Sequence, residues 1–329
     1  MVTPPTRHDT MSAMVDDHRF VLTLSCPDRT GIVARITTFL ADIGGWITEA
    51  AYHSDAESGR FFTRQEVRAD SVPFGIDELR RRFGEIAADL AADHWQVADN
   101  ADRKTVVLLV SKDGHCLYEV LARWHSGELT ADIGVVIGNH PELEPVAQMF
   151  GLPFRLIPVP KDEAGKAAAF EQVRDEVDTH APDAIVLARY MQVIPPDLCD
   201  AWAGRLISIH HGFLPSFRGA RPYHQAYARG VKIIGATCHY VSAELDAGPI
   251  IDQDVIRVDH GDSPADMVRL GRDIEKAVLA RGLDLLSAES GASGRHADHR
   301  LRLTVPLRAV GVRYDGARRQ TAAVMCTIH

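Results

Sequence analysis

After a polar, aperiodic lead over residues 1–17, with Pro4 and Pro5 in it, the chain settles into alternating apolar runs and amphipathic stretches. The lead is expected to be disordered, having too little apolar surface to bury. Arg19–Ser25 reads as a strand, and Cys26-Pro27-Asp28-Arg29-Thr30-Gly31 as a turn. Ile32, Val33, Ile36, Phe39, Leu40 and Ile43 then recur at helical spacing, which predicts a helix over Thr30–Asp42. Gly44-Gly45 stops it. Trp46–Ser54 and Arg60–Ala69 predict a β-hairpin, Ile76–Ala92 a second helix and His94–Val97 a short last strand. Strand, helix, strand, strand, helix, strand is the order of a split βαβ sandwich.

The pattern changes after the polar stretch 99–103, which is the expected linker between a first domain over 18–98 and a second over 104–286. Near-continuous apolar runs such as VVLLV and AIVLA now alternate with helical stretches. Strands are predicted at Thr105–Val110, Ile133–Ile137, Phe154–Pro158, Ala184–Leu187, Leu206–Ile209 and Ile233–Val241. Helices are predicted at His115–Gly127, Pro141–Phe150, Ala164–His180 and Pro195–Trp202. Apolar on both faces, such strands suit an α/β, doubly wound, mostly parallel sheet whose ligand crevice lies at the strand C-termini. Asp262–Leu286 predicts a closing helix with Pro264 at its first position. Residues 287–329 are small and polar, then scattered with arginine, and are expected to form a weakly ordered tail.

The densest chemistry lies between Leu206 and Val255, where three β-type runs are separated by Gly, Pro, His and Asp. His210 directly follows one run, and Asp246 lies in a Leu-Asp-Ala-Gly-Pro turn after another. An imidazole and a carboxylate offered from neighbouring strand ends can serve one reacting centre. If the strand continues past His210, alternation points His211 to the opposite face, and a structural role is expected for it. His239 either lines the crevice or packs in the core.

Composition narrows the class. A length of 329 residues accommodates two domains, and 46% hydrophobic with 25% charged residues is ordinary for a globular protein. A formal charge of -9 disfavours nucleic acid as the main partner. No apolar run has membrane-spanning length, and the N-terminus has no secretory apolar core. Five dispersed cysteines form no disulfide framework or Cys-x-x-Cys site, so a cytoplasmic location is expected. No His-Glu-x-x-His motif supports a metal, and no Gly-x-Gly-x-x-Gly follows the Thr105 strand to hold a dinucleotide.

Two resemblances sharpen this reading. Asp28-Arg29-x-Gly31 and the element order of the first domain resemble the ACT domain, a ferredoxin-like βαββαβ module that senses amino acids. That resemblance places Asp28, Arg29 and Gly31 in an effector loop, with glycine or methionine as possible effectors and a homo-oligomer as the expected assembly. The residue-level alternative is that Asp28 only caps the helix and Gly31 only relieves the turn. In the second domain, Leu187-Ala188-Arg189-Tyr190-Met191-Gln192-Val193, Ser208-Ile209-His210-His211-Gly212-Phe213-Leu214-Pro215, and Leu245-Asp246-Ala247-Gly248-Pro249 stand in order. They resemble the Rossmann-like formyltransferase fold that handles 10-formyltetrahydrofolate. With an ACT domain in front, the chain is similar to the formyltetrahydrofolate deformylases.

The resemblance implies hydrolysis of a linear amide C–N bond, releasing tetrahydrofolate and formate, with formate feeding purine synthesis and the one-carbon folate pools in balance. It implies no prosthetic group and a folate as the small-molecule partner. His210 and Asp246 match two members of the family's catalytic trio, and Ser208 stands where the third is Asn. Gly212 replaces a Ser common in the family. Met191, Gln192, Val193 and Ile194 match the folate-binding segment, and Ser242, Ala243 and Glu244 the opposite wall. Ser111–Cys116, with one Gly and an Asp, makes a poor phosphate cradle and favours water over a phosphorylated amine as acceptor. Lys112 and His115 keep transfer to an amine open, and Ser208 keeps open a folate- and amino-acid-binding homologue of weak activity.

Overall fold

The structure, a computed structural model, describes residues 18–217 and 221–288. The expected disordered lead over 1–17, and the expected tail beyond Ala288, lie outside the described residues. The first part of the chain forms β1 (Arg19–Pro27), α1 (Ile32–Asp42), β2 (Ile47–Asp55), β3 (Arg60–Arg68), α2 (Ile76–Asp89) and β4 (His94–Asp99). All its strand pairs are antiparallel, in the order β2-β3-β1-β4. This is the βαββαβ arrangement that the alternation of periods predicts. Strand periodicity sends Phe20, Leu22, Leu24 and Cys26 of β1 to one face. There they bury against Ile32, Ile36 and Leu40 of α1 and Leu79 and Phe83 of α2.

β4 ends at Asp99 and β5 (Lys104–Val110) begins the second sheet. It is followed by α3 (His115–Ser126), β6 (Ala131–Gly138), α4 (Glu144–Met149), β7 (Phe154–Leu156), α5 (Glu163–His180) and β8 (Ala184–Leu187). Then come α6 (Pro196–Ala201), β9 (Leu206–His210), α7 (Pro222–Ala228), β10 (Ile233–Tyr240), β11 (Ile250–Arg257) and α8 (Pro264–Ala288). The sheet order is β11-β10-β9-β8-β5-β6-β7. β5 to β9 pair in parallel, whereas β10 runs antiparallel to both neighbours. The chain leaves β5 first toward β6 and β7, then returns to β8 and β9 on the other side. The topological switch therefore falls between β5 and β8.

β5 shows why its sequence is apolar throughout. Val106, Leu108 and Val110 pack with α3 and α8, and Val107 and Leu109 with α5 on the other face. None of the five is more than 1% exposed. Replacing Leu109 by Ala is expected to destabilise the fold by about 2–5 kcal/mol, through lost transfer energy and the cavity left behind. Chemical denaturation midpoints read this directly.

Three local expectations are corrected. β7 stops at Leu156 rather than Pro158, because proline has no N–H to extend a ladder. The helix α7, opened by Pro222 at its first turn, was hidden in a stretch rich in Gly, Pro and His. The closing helix runs on to Ala288, so Ser287 and Ala288 belong to it and not to a tail. Ser263 and Asp266 start that helix with reciprocal bonds, the Asp266 N–H to Ser263 Oγ (3.2 Å) and the Ser263 N–H to Asp266 Oδ2 (3.1 Å).

Candidate active site

β9 carries two polar residues, Ser208 and His210, that period-two alternation puts on one face of the sheet. The ladder with β10 sets Thr237 opposite His210 and His239 opposite Ser208. Four polar side chains thus share one face at the C-terminal end of β9. Asp246 approaches from the turn after β10. That turn is closed by the Tyr240 N–H donating to Pro249 O at 2.9 Å. Gly248 is required there, because a Cβ would fall 1.8 Å from Tyr240 O. Asp246 itself is held in the left-handed region, at φ 54. A non-glycine residue in that conformation is a strain that a functional site often carries.

The turn delivers the Asp246 carboxylate to His210. Asp246 Oδ1 lies 3.2 Å from His210 Nδ1, with the side chains only 12% and 5% exposed. A carboxylate only accepts, so in this contact Nδ1 carries the hydrogen. His239 Nδ1 lies 2.8 Å from Tyr240 O, which fixes its hydrogen in the same way and leaves Nε2 as the basic atom. The Nε2 atoms of His210 and His239 are both buried without a partner among the described residues. Burial holds the His239 imidazole below its ordinary pKa. Gly212 makes room for His210, since a Cβ at that position would come within 2.9 Å of His210 Nε2.

For His211 the strand does not continue. β9 ends at His210, so strand alternation does not carry past it. The His211 ring sits 5.4 Å from that of His210 and 6.1 Å from that of Tyr223. Burial, aided by the positive charge of Arg189, lowers its pKa to about 4. As the pH falls, the unfolded chain takes up this proton near pH 6.5 and the fold only near pH 4. Stability should therefore drop across that window, by about 2–3 kcal/mol for His211. His239 acts in the same direction. Melting temperatures recorded from pH 7 to pH 4 should show the decline, and His211→Asn should flatten part of it.

The stretch after β8 forms the second flank. Arg189 is left-handed at φ 64, and the Met191 N–H donates to Ser111 Oγ at 2.8 Å, tying this loop to the end of β5. Met191 and Val193 are 54% and 59% exposed, and Leu245, beside Asp246, is 57% exposed. Apolar side chains left to solvent beside a polar pair are what an aromatic ring system can cover. Gln192 is half-buried. Ile194 is buried in the core with Leu198 and Trp202. Ser242 bends its loop by donating to Glu244 O at 2.9 Å, while Ala243 and Glu244 are exposed. A cavity of about 400 Å³ lined by Gln96, Lys104, Asp183 and Arg205 lies at the N-terminal ends of β5, β8 and β9. That is the wrong end of the sheet for this chemistry.

In the first domain, Asp28 does not cap α1, whose N-cap is Gly31 at φ 91 with no side-chain bond. Ser54 Oγ donates to the Asp28 carboxylate instead, and Arg29 donates to Asp89 O at 2.9 Å.

Sequence reading missed Glu275. It lies on α8, is 1% exposed, and accepts from Tyr223 Oη and from His115 Nε2, each at 2.8 Å. The signal was present: Gly271, Glu275 and Leu279 follow the i, i+4 spacing of the buried face. A carboxylate in an apolar stripe is costly unless paired.

The domain that carries this doubly wound sheet and its His–carboxylate pair is a formyl transferase domain by family, since residues 104–283 match the family model described as formyl transferase. The formyltetrahydrofolate deformylase of Corynebacterium sp. (strain P-1) is 43% identical over 270 residues, 82% of this chain and 93% of that one. The chain belongs to the formyltetrahydrofolate deformylase family. A crystal structure of a formyltetrahydrofolate deformylase from Pseudomonas syringae pv. tomato superposes with a TM-score of 0.81 at 51% identity, covering 86% of this chain and 94% of that one. A phosphoribosylglycinamide formyltransferase from Anaplasma phagocytophilum matches at 28% identity with a TM-score of 0.54, over 61% of this chain and 97% of its own. Among the described residues no helix is long and apolar enough to cross a membrane.

Proposed function

We propose that this protein hydrolyses 10-formyltetrahydrofolate to tetrahydrofolate and formate, with His210 and Asp246 as the reacting pair. The observation that carries the reading is the 3.2 Å approach of the buried His210 ring, at the end of β9, and the largely enclosed Asp246 carboxylate, in the turn between β10 and β11. The formyl carbon on N10 is an amide-like electrophile. Hydrolysis therefore needs an activated water, a stabilised oxyanion and a proton for the leaving nitrogen. Asp246 orients the water and takes its proton as the oxygen adds to the formyl carbon. His210 acts as the imidazolium: Nδ1–H stays on Asp246, Nε2–H donates to the tetrahedral oxyanion and then passes that proton to N10, and the proton Asp246 took from water returns to His210 after formate leaves. The C–N10 bond then breaks, and formate and tetrahydrofolate leave. Ser208, half-buried on the same face, is the remaining donor toward the oxyanion. Met191, Val193 and Leu245 cover the pterin ring, and the backbone of 191–194 and 242–244 reads its edge.

The test is formate release from 10-formyltetrahydrofolate by the purified full chain, without any amine present. Formate appearing in step with tetrahydrofolate supports the reading, and no formate without an added amine overturns it. We infer further that the exposed loop Asp28–Gly31 takes a small amino-acid effector and that the first domain pairs with a second copy. The same assay repeated with glycine and with methionine, alongside the solution mass, reads both.

A further inference from the structure

We propose that Arg189, held between Asp113 and Glu275, is a plug that closes the acceptor side of the site and restricts the acceptor to water. The inference deepens the hydrolase reading and rests on it. Doubly wound sheets bind ligands in the crevice at the topological switch, outside the strand C-termini. Here the switch lies between β5 and β8, with β8 alone separating it from β9, the strand that ends in His210. The chain's own side chains fill it. Arg189 Nη2 donates to Asp113 Oδ2 at 3.1 Å, and Arg189 Nε lies 3.4 Å from Glu275 Oε2. Arg272 closes the outer side through Asp113 Oδ1 at 3.0 Å.

The plug is continuous with the reacting pair. From Asp246 the path runs through His210 to His211 (5.4 Å), to Tyr223 (6.1 Å), and through the Tyr223 hydroxyl to Glu275 (2.8 Å). An amine approaching His210 along the switch would meet a guanidinium that is only 11% exposed. Water is small enough to do without that route.

The cluster also tells what would enter without Arg189. Among the described residues, His115, Cys116 and Glu275 bring potential ligand atoms within 4.8 Å of one another. A metal ion is a poor occupant, because Arg189 already places its charge on the same carboxylate and burial keeps the Cys116 thiol protonated. Burial alone would push Glu275 upward, but the His115 bond and the Arg189 charge outweigh it and keep the carboxyl ionised. Removing Arg189 leaves the Asp113 and Glu275 carboxylates short of a cation, beside the reacting pair. That vacated space suits a primary ammonium group.

The experiment uses the full chain and glycinamide, a primary amine larger than water. ¹³C-glycinamide is titrated into wild type and Arg189→Ala, and binding is read by NMR. Arg189→Ala should bind at least about tenfold more tightly than wild type, a difference of one decade or more. With 10-formyltetrahydrofolate added, the free-amine form of glycinamide bonds the formyl carbon and gives a proton to Asp246, N10 takes a proton and the C–N10 bond breaks, so the variant should yield N-formylglycinamide and tetrahydrofolate where wild type yields only formate and tetrahydrofolate. Equal glycinamide affinity in the two proteins overturns the plug, as does formylation of glycinamide by wild type. Should Arg189→Ala fail to fold, Arg189→Met keeps the apolar stem without the charge, and the same outcomes apply. The binding arm needs no turnover. Wild type releasing no formate therefore defeats the hydrolase reading, while the titration still decides whether the plug excludes amines.

Discussion

Asp246→Asn should lower kcat for formate release by about 10²–10⁴-fold, the usual contribution of a positioned general base. Asn is the informative replacement. Asp246 sits at φ 54, a conformation that Asn visits readily and Ala does not, so the turn should survive. The amide keeps the shape and loses the capacity to take a proton from water. His210→Ala should fall by a comparable factor, and the double variant should be little worse than either single one, because the two groups act as a unit. Steady-state formate release with melting temperature as the control checks this. A kcat near the wild-type value in a folded Asp246→Asn protein would remove the carboxylate from the mechanism.

Ser208→Asn should raise kcat, by up to about 10²–10³-fold if the oxyanion now lacks a well-placed donor. The side chain at 208 leaves β9 on the same face as His210, two residues away, with His239 across the ladder. An amide reaches further from that backbone position than a hydroxyl does and presents an N–H to the formyl oxygen. His239, buried and unpartnered at Nε2, is the neighbour that can hold the new amide in place. Gly212 should be left unchanged in this variant, because even a methyl there crowds His210 Nε2. An unchanged or reduced kcat in a folded Ser208→Asn protein means that the hydroxyl already serves, and the supposed deficit disappears. These two substitutions bear on different stages of one step, proton removal from water and charge stabilisation on the formyl oxygen.

Much of the architecture was legible because periodicity reports burial directly. The all-apolar run of β5 could only lie inside a sheet covered on both faces, and it does. The split βαβ order of the first domain was equally plain, since its strands and helices switch period at turn residues. What escaped were features that depend on where an element stops. The side of the sheet that His211 takes was beyond alternation, because the strand ends one residue before it. α7 escaped because seven residues are too few to show a period, and Gly, Pro and His hid it. Ile194 sits in the folate-like stretch, but packing pulls its side chain into the core.

The order of apolar and polar residues by itself determined two α/β patterns, the change from one to the other near residue 100, and a His and an Asp that each follow a separate strand. These are local properties, each settled by a handful of neighbouring residues. Only the tertiary structure decided that those two side chains lie within 3.2 Å of one another, since nothing local measures the gap across two strands and a turn. It alone also decided that Arg189, Asp113, Tyr223 and Glu275 meet over the switch between β5 and β8. Their four segments are far apart along the chain, and it is the sheet order, with helix α8 laid across it, that brings them into contact.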